Sequence, residues 1–241
     1  MKFTYEGYEG LLNLLKENNY TFCNYFNCDE QAKPVIFRHD IDHSLDKAIE
    51  IAKIEHKNGV RSTFFVLIVT DFYNALSKRS YEILKEIDGM GHEIGLHFNE
   101  RRYAINDVKD LEENIRAEMT ILGKVLNKPV KTVSMHIPSK WILENDIKFD
   151  GIVNSYSKKY LQDFKYLSDS QMHWREDVLS IIQENRYGKL HILTHPVWYS
   201  KYKETLNEKF LSLANQSKIE RYEEFKVNFR NSSEVLSPEE L

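Results

Sequence analysis

Seven short apolar runs, separated by stretches of helical periodicity, leave this chain few folds to choose from. The runs are PVIFRHDI, VRSTFFVLIV, HEIGLH, VKTVSMH, GIVNSY, FKYLSD and KLHILTH. Between the first two lies SLDKAIEIAKIEHKNG, where Ser44 can cap, Leu45, Ala48, Ile51, Ala52 and Ile54 form an apolar stripe, and Gly59 can close the helix. Similar patterns predict helices over 5–17, 78–88, 107–126 and 177–185, and in the charged segment from about Lys203. Strands that alternate with helices pair in parallel, because each helix carries the chain back to where the next strand must begin. Two α/β architectures satisfy that pattern, a (β/α) barrel and an open doubly wound sheet.

The ends of the runs favour the barrel-like layout. Asp40 and Asp42 end the first run, His97 the third, His136 the fourth, Asp169 the sixth and His195 the seventh. Titratable groups at the carboxyl ends of parallel strands converge on one face, which is where such folds place their sites. Histidines scattered through a core would not keep this register.

In RHDID the two-residue period of a strand sends Arg38, Asp40 and Asp42 to one side and Phe37, His39 and Ile41 to the other. Two carboxylates facing the same way repel unless a proton or a cation relieves them. Carboxylate and neutral imidazole suit a divalent ion, above all Zn²⁺, and catalytic zinc commonly has three protein ligands and an open position. Asp42, His97 and one further histidine would supply that set, with Asp40 as general base. His39, facing away, reads as a hydrogen-bonded core histidine. His92 reads as a turn or supporting residue, and His56, His173 and His191 as structural.

RHDIDHS, GVRSTFFV, GHEIGLH and ILTHP, in that order from about Val35 to Trp198, resemble the motifs of the polysaccharide deacetylase (NodB-homology) family. The resemblance implies a distorted (β/α)7 barrel in a single domain: an N-terminal helix and loop over 1–34, the motif-bearing barrel over 35–200, and a helical segment and tail over 201–241. It implies a general base at Asp40, a metal ligand at Asp42 and a proton-donating histidine at His195. Two departures stand out. The family's second motif is H-x-x-x-H, and here Arg101 stands four residues after His97. The loop after the fourth strand, where the family often has an arginine, reads VSMHIPS. His136 is therefore the first candidate for the third metal ligand, with His43 and Glu100 as the alternatives. Arg101 is then free to meet an anionic part of a substrate, and Asp169, Trp174, Arg175 and Trp198 are further candidates for substrate contact.

The formal charge of −4, mixed in sign along the chain, offers no basic block to track nucleic acid. No run approaches the ~18 apolar residues of a membrane span, and residues 1–20 lack the apolar core of a secretion signal, so the expectation is a cytoplasmic protein without membrane or nucleic-acid partners. Cys23 and Cys28 lack the spacing of redox pairs or zinc knuckles and read as reduced thiols. A cytoplasmic deacetylase would act on an amino sugar or sugar precursor for a surface polysaccharide. The alternatives are a non-catalytic glycan- or protein-binding member of the same fold, and a hydrolase of another amide such as a formamide or cyclic imide.

Overall fold

In the computed structural model, which describes residues 1–237, each of the seven runs contains a strand and every strand pairs in parallel. In chain order the elements are α1 (Tyr5–Glu17), β1 (Thr21–Cys23), β2 (Pro34–Ile41), α2 (Leu45–Lys57), β3 (Thr63–Val66), α3 (Lys78–Gly89), β4 (Glu93–Phe98) and α4 (Val108–Leu126). There follow β5 (Thr132–Met135), α5 (Lys140–Glu144), β6 (Val153–Asn154), β7 (Lys165–Ser168), α6 (Val178–Gln183), β8 (Leu190–Thr194) and α7 (Leu206–Asn228).

The strand order is β6-β5-β4-β3-β2-β8-β7. Read along the chain, this is a ring running from β2 to β8 and back to β2, with one break between β6 and β7. A doubly wound sheet reverses its strand order at a switch point; this one does not, so the sheet is a (β/α)7 barrel left open at one seam. The short β1, which periodicity did not reveal, pairs with the first residues of β2 through Thr21↔Pro34 to Cys23↔Ile36. It occupies the same edge of β2 that β3 takes further along, from Arg38↔Thr63 to Ile41↔Val66.

Strand alternation sorts the residues of β2. His39 points outward, where Nε2 meets Glu55 Oε1 of α2 at 3.0 Å and Nδ1 meets Thr194 Oγ1 at 2.7 Å. Glu55 also accepts from Tyr8 of α1 (2.7 Å) and Ser62 (2.5 Å), so this buried carboxylate ties two helices to the barrel wall. Helix α2 begins where Ser44 Oγ accepts from Lys47 N, and it buries Leu45, Ala48, Ile49, Ile51 and Ala52. Each larger aliphatic among them contributes about 1.5–3 kcal/mol.

Inside the barrel the residues are unusually polar. Glu93 on β4 accepts from Thr63 and Thr132, each at 2.9 Å, closing one layer of the interior. Phe65 fills the layer above it through space left by Gly95, where a Cβ would stand 2.5 Å from the Phe65 ring and 2.6 Å from Thr132 Oγ1. His191 is wholly buried, bonded to Tyr25 Oη and to the Tyr160 carbonyl. Cys23 and Cys28 are buried free thiols beside these rings.

The chain divides into two units, Met1–Lys201, which holds the whole barrel, and Tyr202–Leu241. In the second, Thr205 and Glu208 form a capping box at the start of α7, and Lys209 pairs with Glu204 at 2.7 Å. Phe210, Leu211, Ile219 and Phe225 are exposed along it. Among the described residues no helix is long and apolar enough to cross a membrane.

Candidate metal and catalytic site

Asp42 follows β2 by one residue, His97 lies on β4 and His136 follows β5 by one residue. Their donor atoms meet at the carboxyl end of the barrel. Asp42 Oδ1 is 3.0 Å from His97 Nε2 and 3.2 Å from His136 Nδ1, and the two nitrogens are 3.2 Å apart. Among the described residues this is the one group of three such side chains able to hold an ion.

The donor set fits a small divalent cation. Ligands about 2.0–2.1 Å from a tetrahedral ion stand roughly 3.3 Å from one another, close to the spacing here. Without a cation the triangle is awkward, because two N–H groups aimed at one oxygen would bring their hydrogens together, and neither nitrogen could then satisfy the other. A cation lets three lone pairs share one centre. The other nitrogen of His97, Nδ1, is buried without a partner, so the ring takes its orientation from β4 and from its edge-on contact with His136, centroids 5.0 Å apart.

His136 is held by an unusual turn. Its backbone N–H donates to Phe98 O at 2.8 Å. The next residue, Ile137, sits at φ 47°, a left-handed conformation that costs a β-branched residue about 1–2 kcal/mol. Beyond Pro138, both the N–H and hydroxyl of Ser139 donate to the Glu100 carboxylate. Clamped on both sides, the strained turn keeps the His136 imidazole facing Asp42. The same clamp engages both oxygens of Glu100, and the His43 ring packs against Phe72 (4.5 Å) and Trp198 (6.1 Å). Neither alternative ligand joins the triangle.

Asp40 lies deeper and in different company. Only 3% exposed, it accepts from Arg38 Nη2 at 3.1 Å and lies 3.3 Å from Ser134 Oγ through both oxygens. Its Oδ2 is 3.9 Å from His97 Nε2, so the carboxylate borders the space in front of the triangle without belonging to it. His195, after β8, lies near the second oxygen of Asp42, with Nε2 3.8 Å from Asp42 Oδ2.

Asp169 is fully buried beneath His195. It accepts from His195 Nδ1 (2.7 Å), from the His195 backbone N–H (3.0 Å) and from the Tyr199 hydroxyl (2.9 Å). All its bonds are internal, so it supports an imidazole and does not face a substrate. Burial opposes a charge on His195, but the hydrogen bond and charge of Asp169, aided by Asp42 and Asp40, outweigh it and raise the imidazole to about 9. Burial likewise works against the charge of Asp42, yet the bonds from His136 and His97 hold its carboxyl well below the usual range.

Of the other sequence candidates, Arg101 and Arg175 are exposed, Arg101 in the turn Glu100–Arg102. Trp174 is half-buried and Trp198 is buried with its ring 6.3 Å from His195; the indole nitrogens of both are buried without partners. Sequence reasoning passed over Ser134, which sits two residues before His136 and therefore on the same face of β5. It also left Arg38 without a role, although the alternation of β2 points it the same way as Asp40.

No protein-family model matches the sequence, and no curated protein does. Solved family 4 carbohydrate esterases are similar to this chain. The chitin deacetylase of the fungal pathogen Colletotrichum lindemuthianum is 17% identical with a TM-score of 0.49, over 81% of this chain and 85% of that one. A family 4 carbohydrate esterase from Bacillus anthracis is 16% identical with a TM-score of 0.45, over 86% and 84%. A family 4 pseudoenzyme from Bacillus anthracis is 17% identical with a TM-score of 0.45, over 77% of this chain. The chain spans 62% of that pseudoenzyme's length.

Proposed function

We propose that this chain is a divalent-metal-dependent hydrolase that removes an N-acyl group, in the first instance acetyl, from an amino sugar or sugar precursor. The observation that carries the reading is the division of labour between two carboxylates two residues apart. Asp42 meets two imidazoles in a ligand triangle, while Asp40 is held away from it by Arg38 and Ser134. One carboxylate belongs to the candidate cation site, and the other stands at its border, 3.9 Å from His97 Nε2.

A divalent cation on Asp42, His97 and His136, with Zn²⁺ the first choice for this nitrogen and oxygen set, would supply Lewis acidity that acidifies water and polarises an amide carbonyl. Asp40 takes a proton from the attacking water. His195, anchored through Nδ1 to Asp169, presents Nε2 beside Asp42 Oδ2 and gives a proton to the departing amine, which leaves poorly as an anion. Its raised pKa keeps it protonated at neutral pH. Trp174 and Trp198 are assigned to the sugar, and Arg101 and Arg175 to its anionic substituents.

Purified protein should bind about one zinc per chain and release acetate from an N-acetylated amino sugar or its nucleotide-linked form, and lose that activity on chelation. Zinc-bound protein that leaves every N-acyl sugar intact, or undiminished activity in a chelator, would sink the reading.

The dyad carries its own prediction. The folded-state pKa of His195 is raised from the free-histidine value near 6.5 to about 9, so the proton-donating form persists through neutral pH and is lost as pH rises through about 9. In Asp169→Asn the largest raising influence is gone and burial pulls the other way. The alkaline limb of kcat/KM should then move down by more than about one pH unit. An unmoved limb would remove His195 from the role of proton donor.

A further inference from the structure

Arg38 is a fully buried cation in the middle of the barrel, and the metal triangle does not use it. Burying a guanidinium costs several kcal/mol unless its geometry is well satisfied, so its surroundings bear on what it does. Nη2 donates to Asp40 Oδ2 at 3.1 Å and lies 3.3 Å from Tyr156 Oη, and Nη1 donates to Ser155 Oγ at 2.6 Å. Aromatic rings enclose the fork, Tyr156 at 4.9 Å, Phe65 at 5.5 Å and Tyr166 at 5.9 Å from the guanidinium carbon to the ring centroids.

Those partners come from particular places. Ser155 and Tyr156 follow β6, and Tyr166 lies on β7, the two strands that flank the open seam. Arg38 therefore reaches from β2 across the interior and rests on both sides of the break. Its end near the site holds one oxygen of Asp40, while Ser134 from β5 lies across both.

From this geometry we infer that Arg38 is a positioning residue for Asp40, anchored across the barrel interior by Ser155 at one side of the seam, and that it sets the direction in which the carboxylate accepts a proton. The inference rests on the function proposed above for its effect on catalysis, but the placement of Asp40 can be tested without it. A planar fork reaches Asp40 and Ser155 together because its nitrogens are fixed in one frame. A lysine offers one ammonium at a single point and cannot span the two. A base displaced by about 1 Å loses on the order of 10²-fold in rate with little effect on substrate binding.

The test uses full-length, zinc-loaded protein with Arg38→Lys, which keeps the buried charge, and Ser155→Ala, which removes only the far anchor. In Arg38→Lys, kcat on an N-acetylated amino sugar should fall by about 30- to 100-fold, with KM within about twofold and zinc content unchanged. In Ser155→Ala, kcat should fall by about three- to tenfold in the same pattern, and the melting temperature should stay close to wild type. Crystal structures of both variants should place the Asp40 carboxylate in a conformation different from the one it has beside Arg38. Unchanged kcat, a KM effect alone, or an Asp40 that stays put in both crystals would overturn the inference. If the wild type hydrolyses no N-acyl sugar, the proposed function fails, and the Asp40 conformation in the two crystals still decides whether Arg38 holds it.

Discussion

Asp40→Asn is expected to lower kcat by about 10³-fold, within the range attributed to a positioned general base, while zinc stays near one per chain. Asparagine has the shape of aspartate, can still accept from Arg38 and can still bond Ser134, so the site should keep its form. What it loses is a lone pair basic enough to take a proton from water. Charge is lost as well, and that has a second consequence. Arg38 would become a buried cation without its anion, a change that costs about 3–5 kcal/mol when a buried pair is broken. In a chain of this size each kcal/mol lowers the melting temperature by about 2–4 °C. The kinetics are therefore measured well below the variant's melting transition, with zinc content taken from the same sample. Full activity in Asp40→Asn would remove the general base from the mechanism, and activity lost together with zinc would make Asp40 a ligand.

His136→Ala should lower bound zinc from about one per chain to less than about a tenth after dialysis, and abolish acyl hydrolysis with it. Two donors remain in that variant, Asp42 and His97, short of the three or four that protein zinc sites use. The same loss has a thermal signature. A ligand present at about 100 times its dissociation constant stabilises the folded state by about 2.7 kcal/mol, so a chelator should lower the wild-type melting temperature by about 5–10 °C and leave that of His136→Ala almost unmoved. His43→Ala and Glu100→Gln should both keep the metal, because the His43 ring packs against Phe72 and the Glu100 carboxylate is engaged by Ser139. Zinc retained by His136→Ala but lost from either of the other two would reassign the third ligand.

Much of this site was legible from local periodicity. Strand alternation alone put Asp40 and Asp42 on one side of β2 and His39 on the other, and it placed His97, His136 and His195 at the ends of strands that had to run parallel. The choice between barrel and open sheet was not local. It depended on whether β2 pairs with β8, and those strands lie some 150 residues apart in the chain, joined by hydrogen bonds between backbones that carry no sequence signal.

The choice of a third donor was only partly legible: the departure after the fourth run put His136 first, and left His43 and Glu100 open beside it. His43, Glu100 and His136 all lie near the ends of the right strands. What separates them is the Ile137 turn, the Phe98 carbonyl and the Ser139 clamp, contacts among residues up to 39 positions apart. Asp169 presents the same contrast. Its place after a strand was plain, but only burial beneath His195 turned it from a substrate contact into a support.

What the sequence determined by itself was the set of chemical groups and the face of each strand on which they stand, because alternation along a strand is a property of the backbone. What the tertiary structure decided was which of those groups meet. Distances of 3.0 to 3.8 Å from Asp42 to His97, His136 and His195, at the ends of β2, β4, β5 and β8, follow from how the barrel closes and where its seam falls, and Arg38 could become the interior link to Asp40 only once that closure had placed Ser155, Tyr156 and Tyr166 around it.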